Sequence, residues 1–169
     1  MAAHQNNLWE SCCLGKLQMA RELLLAGADP NTKAGRDNWT CLMQAIWRNH
    51  EEVVDLLLAQ PGIEVNAKDN NRTALHYACH TGNIAILSKL LAVPGILVNE
   101  RDVDGLTPIM SAISWISSRI ELDIVRVMAA VERVDLDVKD DSGLSLEDLA
   151  YRCAKCDQWC FGCCYKYES

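Results

Sequence analysis

Thr73-Ala74-Leu75-His76-Tyr77-Ala78 is the stretch that decides how this 169-residue chain folds. A threonine opens it, where a hydroxyl can accept a hydrogen bond from one of the unpaired N–H groups of a starting helix. Leu75 and Ala78 lie three residues apart and so share one face of that helix. Downstream, Ile86-Leu87-Ser88-Lys89-Leu90-Leu91 spaces its apolar residues as a second amphipathic helix does. Val98-Asn99 then closes the unit.

The same register returns on both sides. Thr40-Cys41-Leu42-Met43-Gln44-Ala45 leads to Val53-Val54-Asp55-Leu56-Leu57-Leu58 and then Val65-Asn66. Thr107-Pro108-Ile109-Met110-Ser111-Ala112 leads to Ile124-Val125-Arg126-Val127-Met128 and then Leu136-Asp137. The three threonines are 33 and 34 residues apart, and Ser145 follows 38 residues later. Upstream, Leu8-Trp9-Glu10-Ser11, Met19 to Leu25 and Gly27-Ala28-Asp29-Pro30-Asn31 fit the same frame. A fixed period of this size signals a repeat array. Pro108 at a first helical position gives up no hydrogen bond, and the Gly and Asn residues mark turns. No helix here can hide its apolar face alone, so neighbours must stack. The pattern predicts an all-α solenoid of about four helix-turn-helix repeats plus a partial C-terminal cap, with β-turn fingers along one edge. As one domain, its approximate repeats are 5–36, 37–69, 70–103 and 104–141, followed by a Cys-rich cap over 142–169.

These residues resemble the ankyrin-repeat family. Thr73 to Ala78 is close to the family signature T-P-L-H-x-A, and Gly27 to Asn31 is close to its inter-repeat turn; the resemblance covers roughly residues 5 to 152. There are departures. His76 is the only signature histidine retained, with Trp9, Met43 and Met110 in the equivalent places. The hydrogen bonds such a histidine makes are therefore in question in three repeats. Pro61-Gly62 and Pro94-Gly95 stand where the family usually has Gly-Ala-Asp. About four extra residues, within Ser114 to Glu121, are expected to lengthen the fourth repeat's helices or their loop.

The resemblance implies a concave recognition surface formed by the fingers and the first helix of each repeat. On that frame the exposed positions are Arg36, Asp37, Trp39, Trp47 and Arg48, then Asp69, Asn70, Arg72, His80 and Thr81, then Val103, Asp104, Leu106, Ser114 and Trp115. Three of the five Trp fall on them. Trp and Arg dominate interface hot spots, so Arg36, Asp37, Trp39, Trp47, Arg48, Asn70, Arg72, His80, Asp104 and Trp115 form the candidate partner-binding set. The competing reading has each Trp folded back over its own repeat and each Arg solvated beside a nearby Asp. Asn31, Asn66 and Asn99 match the turn asparagine that some ankyrin proteins hydroxylate; the plainer expectation is a structural residue bonding local backbone.

Composition bounds the function. The net charge is -7 at pH 7, which argues against a nucleic-acid binder and for a partner protein or peptide that is neutral or basic. No apolar run approaches the ~20 residues of a membrane span, and Met1 to Asn7 is polar, which predicts no secretory signal. Nine cysteines in that context point to free thiols in a reducing compartment, the cytoplasm or alternatively the nucleus, and a monomer is expected. No phosphate-binding Gly-rich loop and no G-x-S-x-G is present, so an enzyme is not expected.

The tail holds Cys153-Ala154-Lys155-Cys156 and Cys160-Phe161-Gly162-Cys163-Cys164. The plain reading is small core residues of a capping helix pair, with no cofactor. Zinc held by Cys153, Cys156, Cys160 and Cys163 is the alternative, although the three-residue spacer is short and one straight helix cannot wrap four ligands around an ion. Redox chemistry is a further alternative, as is lipidation, which would bring the tail to a membrane. Two function classes result: a protein-binding adaptor, scaffold or inhibitor, and a metal-dependent or redox-responsive regulator using the Cys tail on the same scaffold.

Overall fold

The computed structural model describes residues 5–69, 71–114 and 119–155, with side chains described for 8–69, 71–114 and 123–151. Four helix pairs follow one another: α1 (Gln5–Cys13) with α2 (Leu17–Leu25), α3 (Cys41–Trp47) with α4 (Glu51–Leu58), α5 (Ala74–Thr81) with α6 (Ile84–Leu91), and α7 (Pro108–Ser114) with α8 (Arg119–Ala129). A further helix, α9 (Leu146–Lys155), is the last among the described residues. First helices pack on first helices, α1 on α3, α3 on α5, α5 on α7 and α7 on α9; second helices form a parallel layer in which α2, α4, α6 and α8 touch in order. This is the all-α repeat solenoid that the 33-residue period predicts.

The core is the repeat pattern made physical. Leu8, Leu42, Leu75 and Ile109 occupy the same turn of successive first helices and are all buried. From the second layer Leu57, Leu90 and Met128 meet them, also buried. Cys12, Cys41 and Cys79 belong to the same core as free thiols, while Cys13 is half-buried. The Cys12 thiol is pushed well above its ordinary range by its hydrogen bond with Cys41 and by burial, and Cys79 by burial alone. All such inert thiols behave as small apolar residues. The extra residues of the fourth repeat lengthen its second helix: α8 has 11 residues where α4 and α6 have eight.

Each signature Thr position starts a first helix differently. Thr40 accepts a hydrogen bond from the Met43 N–H at 3.1 Å. Thr73 is locked to His76, whose Nδ1 accepts from the Thr73 backbone N–H at 3.1 Å and lies 2.9 Å from its hydroxyl. His76 Nε2 lies 3.1 Å from the Leu106 carbonyl, which can only accept, so the network assigns the proton to Nε2. Burial accordingly lowers the His76 pKa and keeps the ring neutral. With Met110 in the histidine's place, the buried Thr107 hydroxyl has no partner among the described residues. Ser145 restores a reciprocal cap: its N–H and hydroxyl donate to Asp148 Oδ2 at 2.9 and 2.7 Å.

Fingers project from the first-helix layer. In the first, β1 (Lys33–Ala34) pairs antiparallel with β2 (Trp39–Thr40), Ala34 opposite Trp39. Single bridges close two later fingers, Lys68 with Thr73 and Lys139 with Ser145. Two residues before each helix-opening Thr or Ser the chain turns left-handed, at Asn38, Asn71, Gly105 and Gly143, with φ of 57°, 71°, 75° and 80°. Asn and Gly are the residues that tolerate this region.

Across the opposite edge runs a ladder of asparagines. Asn31 donates to the Gly62 carbonyl at 2.9 Å and accepts from the Glu64 N–H at 2.9 Å. Asn66 repeats both bonds with Gly95 and Leu97, each at 2.9 Å, and Asn99 does so with Arg133 and Asp135 at 2.8 and 2.9 Å. The expectation of bonds to local backbone is corrected here. Each amide reaches the turn of the following repeat, which stacking places alongside it.

Candidate functional site

Four rings gather where the first two fingers meet the ends of α3 and α5. Trp39, the last finger residue before Thr40, packs edge-on to Trp47 with ring centroids 5.6 Å apart. It also leans on Tyr77 of the next repeat at 4.6 Å. Trp47, the last residue of α3, lies face to face with His80, near the end of α5, with centroids 4.8 Å apart and planes 4° from parallel. Repeat stacking creates the cluster, because it brings the same helix end of two successive repeats side by side. Trp39 is half-buried and packs on the core, whereas Trp47 is 40% exposed.

A hollow of about 360 Å³ opens beside the rings, lined by Trp39, Trp47, Tyr77 and His80, by Asp37, Asp69 and Arg72, and by His76, Val103 and Ser111. Asp69 is fixed there: its Oδ1 accepts from the Arg72 N–H at 3.1 Å, and its Oδ2 accepts from the Tyr77 hydroxyl. Burial, that hydrogen bond and the negative charge of Asp69 push the Tyr77 hydroxyl well above its ordinary pKa. The Arg72 guanidinium pairs with Asp102 at 3.1 Å, and the Asp102 side chain is fully buried. A second hollow of about 310 Å³ lies on the N-terminal side of the Trp39–Trp47 ridge, lined by Trp9, Gly35, Arg36, Asp37, Gln44 and Arg48 among others. The buried indole N–H groups of Trp9 and Trp39 have no partner among the described residues.

Comparison with known families agrees with this architecture. A family model described as ankyrin repeats in three copies matches residues 3–69, and one described as ankyrin repeats in many copies matches 48–91. Together they cover 3–91, just over half of the chain. The chain belongs to the ankyrin-repeat family. Ankyrin repeats are general protein-interaction modules. Similar curated proteins are ankyrin repeat domain-containing protein 40 of mouse and of human, each 39% identical over 54 residues. That match covers 32% of this chain and spans only 15% of the length of those relatives.

Of the candidate residues on this ankyrin surface, Asp37, Trp39, Trp47, Arg72 and His80 converge on the first hollow, and Arg36 and Arg48 on the second. Asp104 stands apart on the next finger, half-buried, with its carboxyl pKa raised by burial and then by the charge of Asp102. Leu106, expected at an exposed finger position, is 2% exposed and belongs to the core. Finger position alone misplaces it, because its side chain packs with Met110, Ile113 and Leu149 in a second core cluster. Asn70 and the Trp115 side chain lie outside the described residues, as do those of Cys153, Cys156, Cys160 and Cys163.

The expectation that each Trp folds over its own repeat holds in part: Trp39 packs on Trp47 of its own repeat, but both reach the next repeat through Tyr77 and His80. For the arginines, Arg72 is the one that finds an Asp, across a repeat boundary. Arg36 and Arg48 are exposed and make no ion pair among the described residues. Tyr77 was not among the candidates. Its signal is present in the sequence: it stands three residues before His80 and so on the same helix face. Among the described residues no cluster of three or more His, Cys, Asp or Glu could hold a metal ion, and no helix is long and apolar enough to cross a membrane.

Proposed function

We propose that this chain is an adaptor-type binding module that captures a partner protein on the face carrying Trp39, Trp47, Tyr77 and His80, and performs no chemistry of its own. One observation carries the reading: Trp47, a large aromatic, stays 40% exposed at the centre of a ring cluster between two hollows. A folded chain leaves such a surface to water at a cost, and exposed aromatic patches mark interaction sites. The rings are already fixed against each other, so a partner covering them pays little side-chain entropy. The net charge of -7 favours a partner that is neutral or basic.

The test is affinity purification from cell extract with three full-length baits: wild type, Trp47→Ala, and Glu52→Ala on the exposed face of α4. A partner retained by wild type and by Glu52→Ala but lost by Trp47→Ala, with all three baits fully folded at the temperature of capture, is the expected result. Identical capture by all three baits would refute the assignment of this face.

A further inference from the structure

Resting on that reading, we infer that the side chain taken into the hollow beside Trp39, Trp47 and Tyr77 is an arginine presented by the partner. Charge supplies the first argument. Three carboxylates line or back the hollow, those of Asp37, Asp69 and Asp102, against one guanidinium, that of Arg72. Arg72 and Asp102 pair at 3.1 Å and offset each other's charge. Asp37 and Asp69 make no ion pair among the described residues. A carboxylate oxygen has room for two hydrogen bonds. Asp69 has used one site on each oxygen, with the Arg72 N–H and the Tyr77 hydroxyl, and both of those donors are uncharged. An acidic side chain entering here would face two unneutralised carboxylates, whereas a cation would neutralise them.

The walls supply the second argument and separate arginine from lysine. Trp39, Trp47 and Tyr77 line the hollow, and a cation that reaches an aromatic face is attracted by the ring quadrupole. Guanidinium is planar, weakly hydrated and able to stack on a ring while donating in its own plane to carboxylates. An ammonium is a compact, strongly hydrated charge, and an aromatic wall replaces little of the water it surrenders. The hollow therefore matches guanidinium on both counts: aromatic walls, and carboxylates beside them.

The experiment selects binders to the full chain from a displayed library of random dodecapeptides, then measures synthetic peptides by titration calorimetry. The expected binders carry an arginine; its replacement by Gln weakens affinity at least tenfold, and by Lys several-fold. Asp37→Asn in the protein, an exposed position that leaves the melting temperature unchanged, also weakens affinity about tenfold. The two losses are expected not to add, because each removes the same contact. Peptides that need Trp47 but are indifferent to Arg→Gln, or to Asp37→Asn, overturn the arginine assignment and leave the binding face standing. The same holds if the two losses simply add, or if Lys replaces Arg at no cost. No binders, or binders indifferent to Trp47→Ala, overturn the binding face itself and the inference with it.

Discussion

Trp47 and His80 lie face to face, 4.8 Å between ring centroids and 4° from parallel, although they belong to different repeats. Trp47 also meets Tyr77 of the same neighbouring helix edge-on, with centroids 6.0 Å apart. The neighbouring Trp39 plays a different part. It is half-buried, packs on the core and touches Tyr77 at 4.6 Å. The two tryptophans should therefore separate binding from stability. Trp39→Ala is expected to cost about 3 kcal/mol, the range for truncating a packed Trp, and Trp47→Ala about 1 kcal/mol. Urea denaturation of both variants checks the contrast; equal losses would mean that Trp47 is as much a core residue as Trp39.

His76 makes stability depend on pH. Burial lowers its folded-state pKa below the ordinary 6.5. In the unfolded chain the ring gains a proton as the pH falls through 6.5, while the folded protein still holds it neutral. The unfolded state then binds more protons, so stability is full above pH 6.5 and is lost below it, at up to about 1.4 kcal/mol per pH unit until the folded value is reached. His76→Gln should be less stable than wild type at pH 7.5 and show a shallower loss between pH 6.5 and 5. Unfolding free energies measured across that range decide it; identical slopes would show that His76 does not control this window.

The asparagine ladder predicts equal costs at separated sites. Asn31 and Asn66 each donate to a Gly carbonyl and accept from a backbone N–H in the following turn, at 2.9 Å throughout. A net hydrogen bond contributes about 1 kcal/mol. Asn31→Ala and Asn66→Ala should each cost about 2 kcal/mol in urea unfolding. A loss confined to one of them would show that the ladder is not a uniform inter-repeat tie.

The sequence carried the architecture well, because a repeat prints its own period: Thr40, Thr73 and Thr107 mark three helix starts and Leu42, Leu75 and Ile109 the core beneath them. It also named most residues of the ring cluster, since finger and helix-end positions follow from the same frame. What it could not carry was contact across a repeat boundary. Nothing local in Tyr77 says that Trp39 of the preceding repeat will rest on it, nor in Asn31 that its partner is Gly62. Leu106 shows the reverse failure. Its position reads as exposed, but the side chain packs with Met110, Ile113 and Leu149, the last of them on the following helix α9.

Thr107 offers the sharpest test of the capping argument, because the usual expectation there is reversed. Thr40 uses its hydroxyl to accept from Met43 N–H at 3.1 Å. Removing that acceptor by Thr40→Val leaves an N–H at the helix start unpaired and should cost about 1 kcal/mol. Thr107 is equally buried, but its hydroxyl has no partner among the described residues. An unpaired buried hydroxyl is paid for in desolvation, and replacing it with a methyl of nearly the same shape removes that penalty. Thr107→Val should therefore be neutral or stabilising by about 1 kcal/mol. A double variant that also carries Met110→His supplies the control: with a ring nitrogen returned to the site, the hydroxyl has a partner again. In that background Thr107→Val should become destabilising. Four urea curves close the cycle, and a loss from Thr107→Val in the Met110 background would show that the Thr107 hydroxyl is satisfied after all.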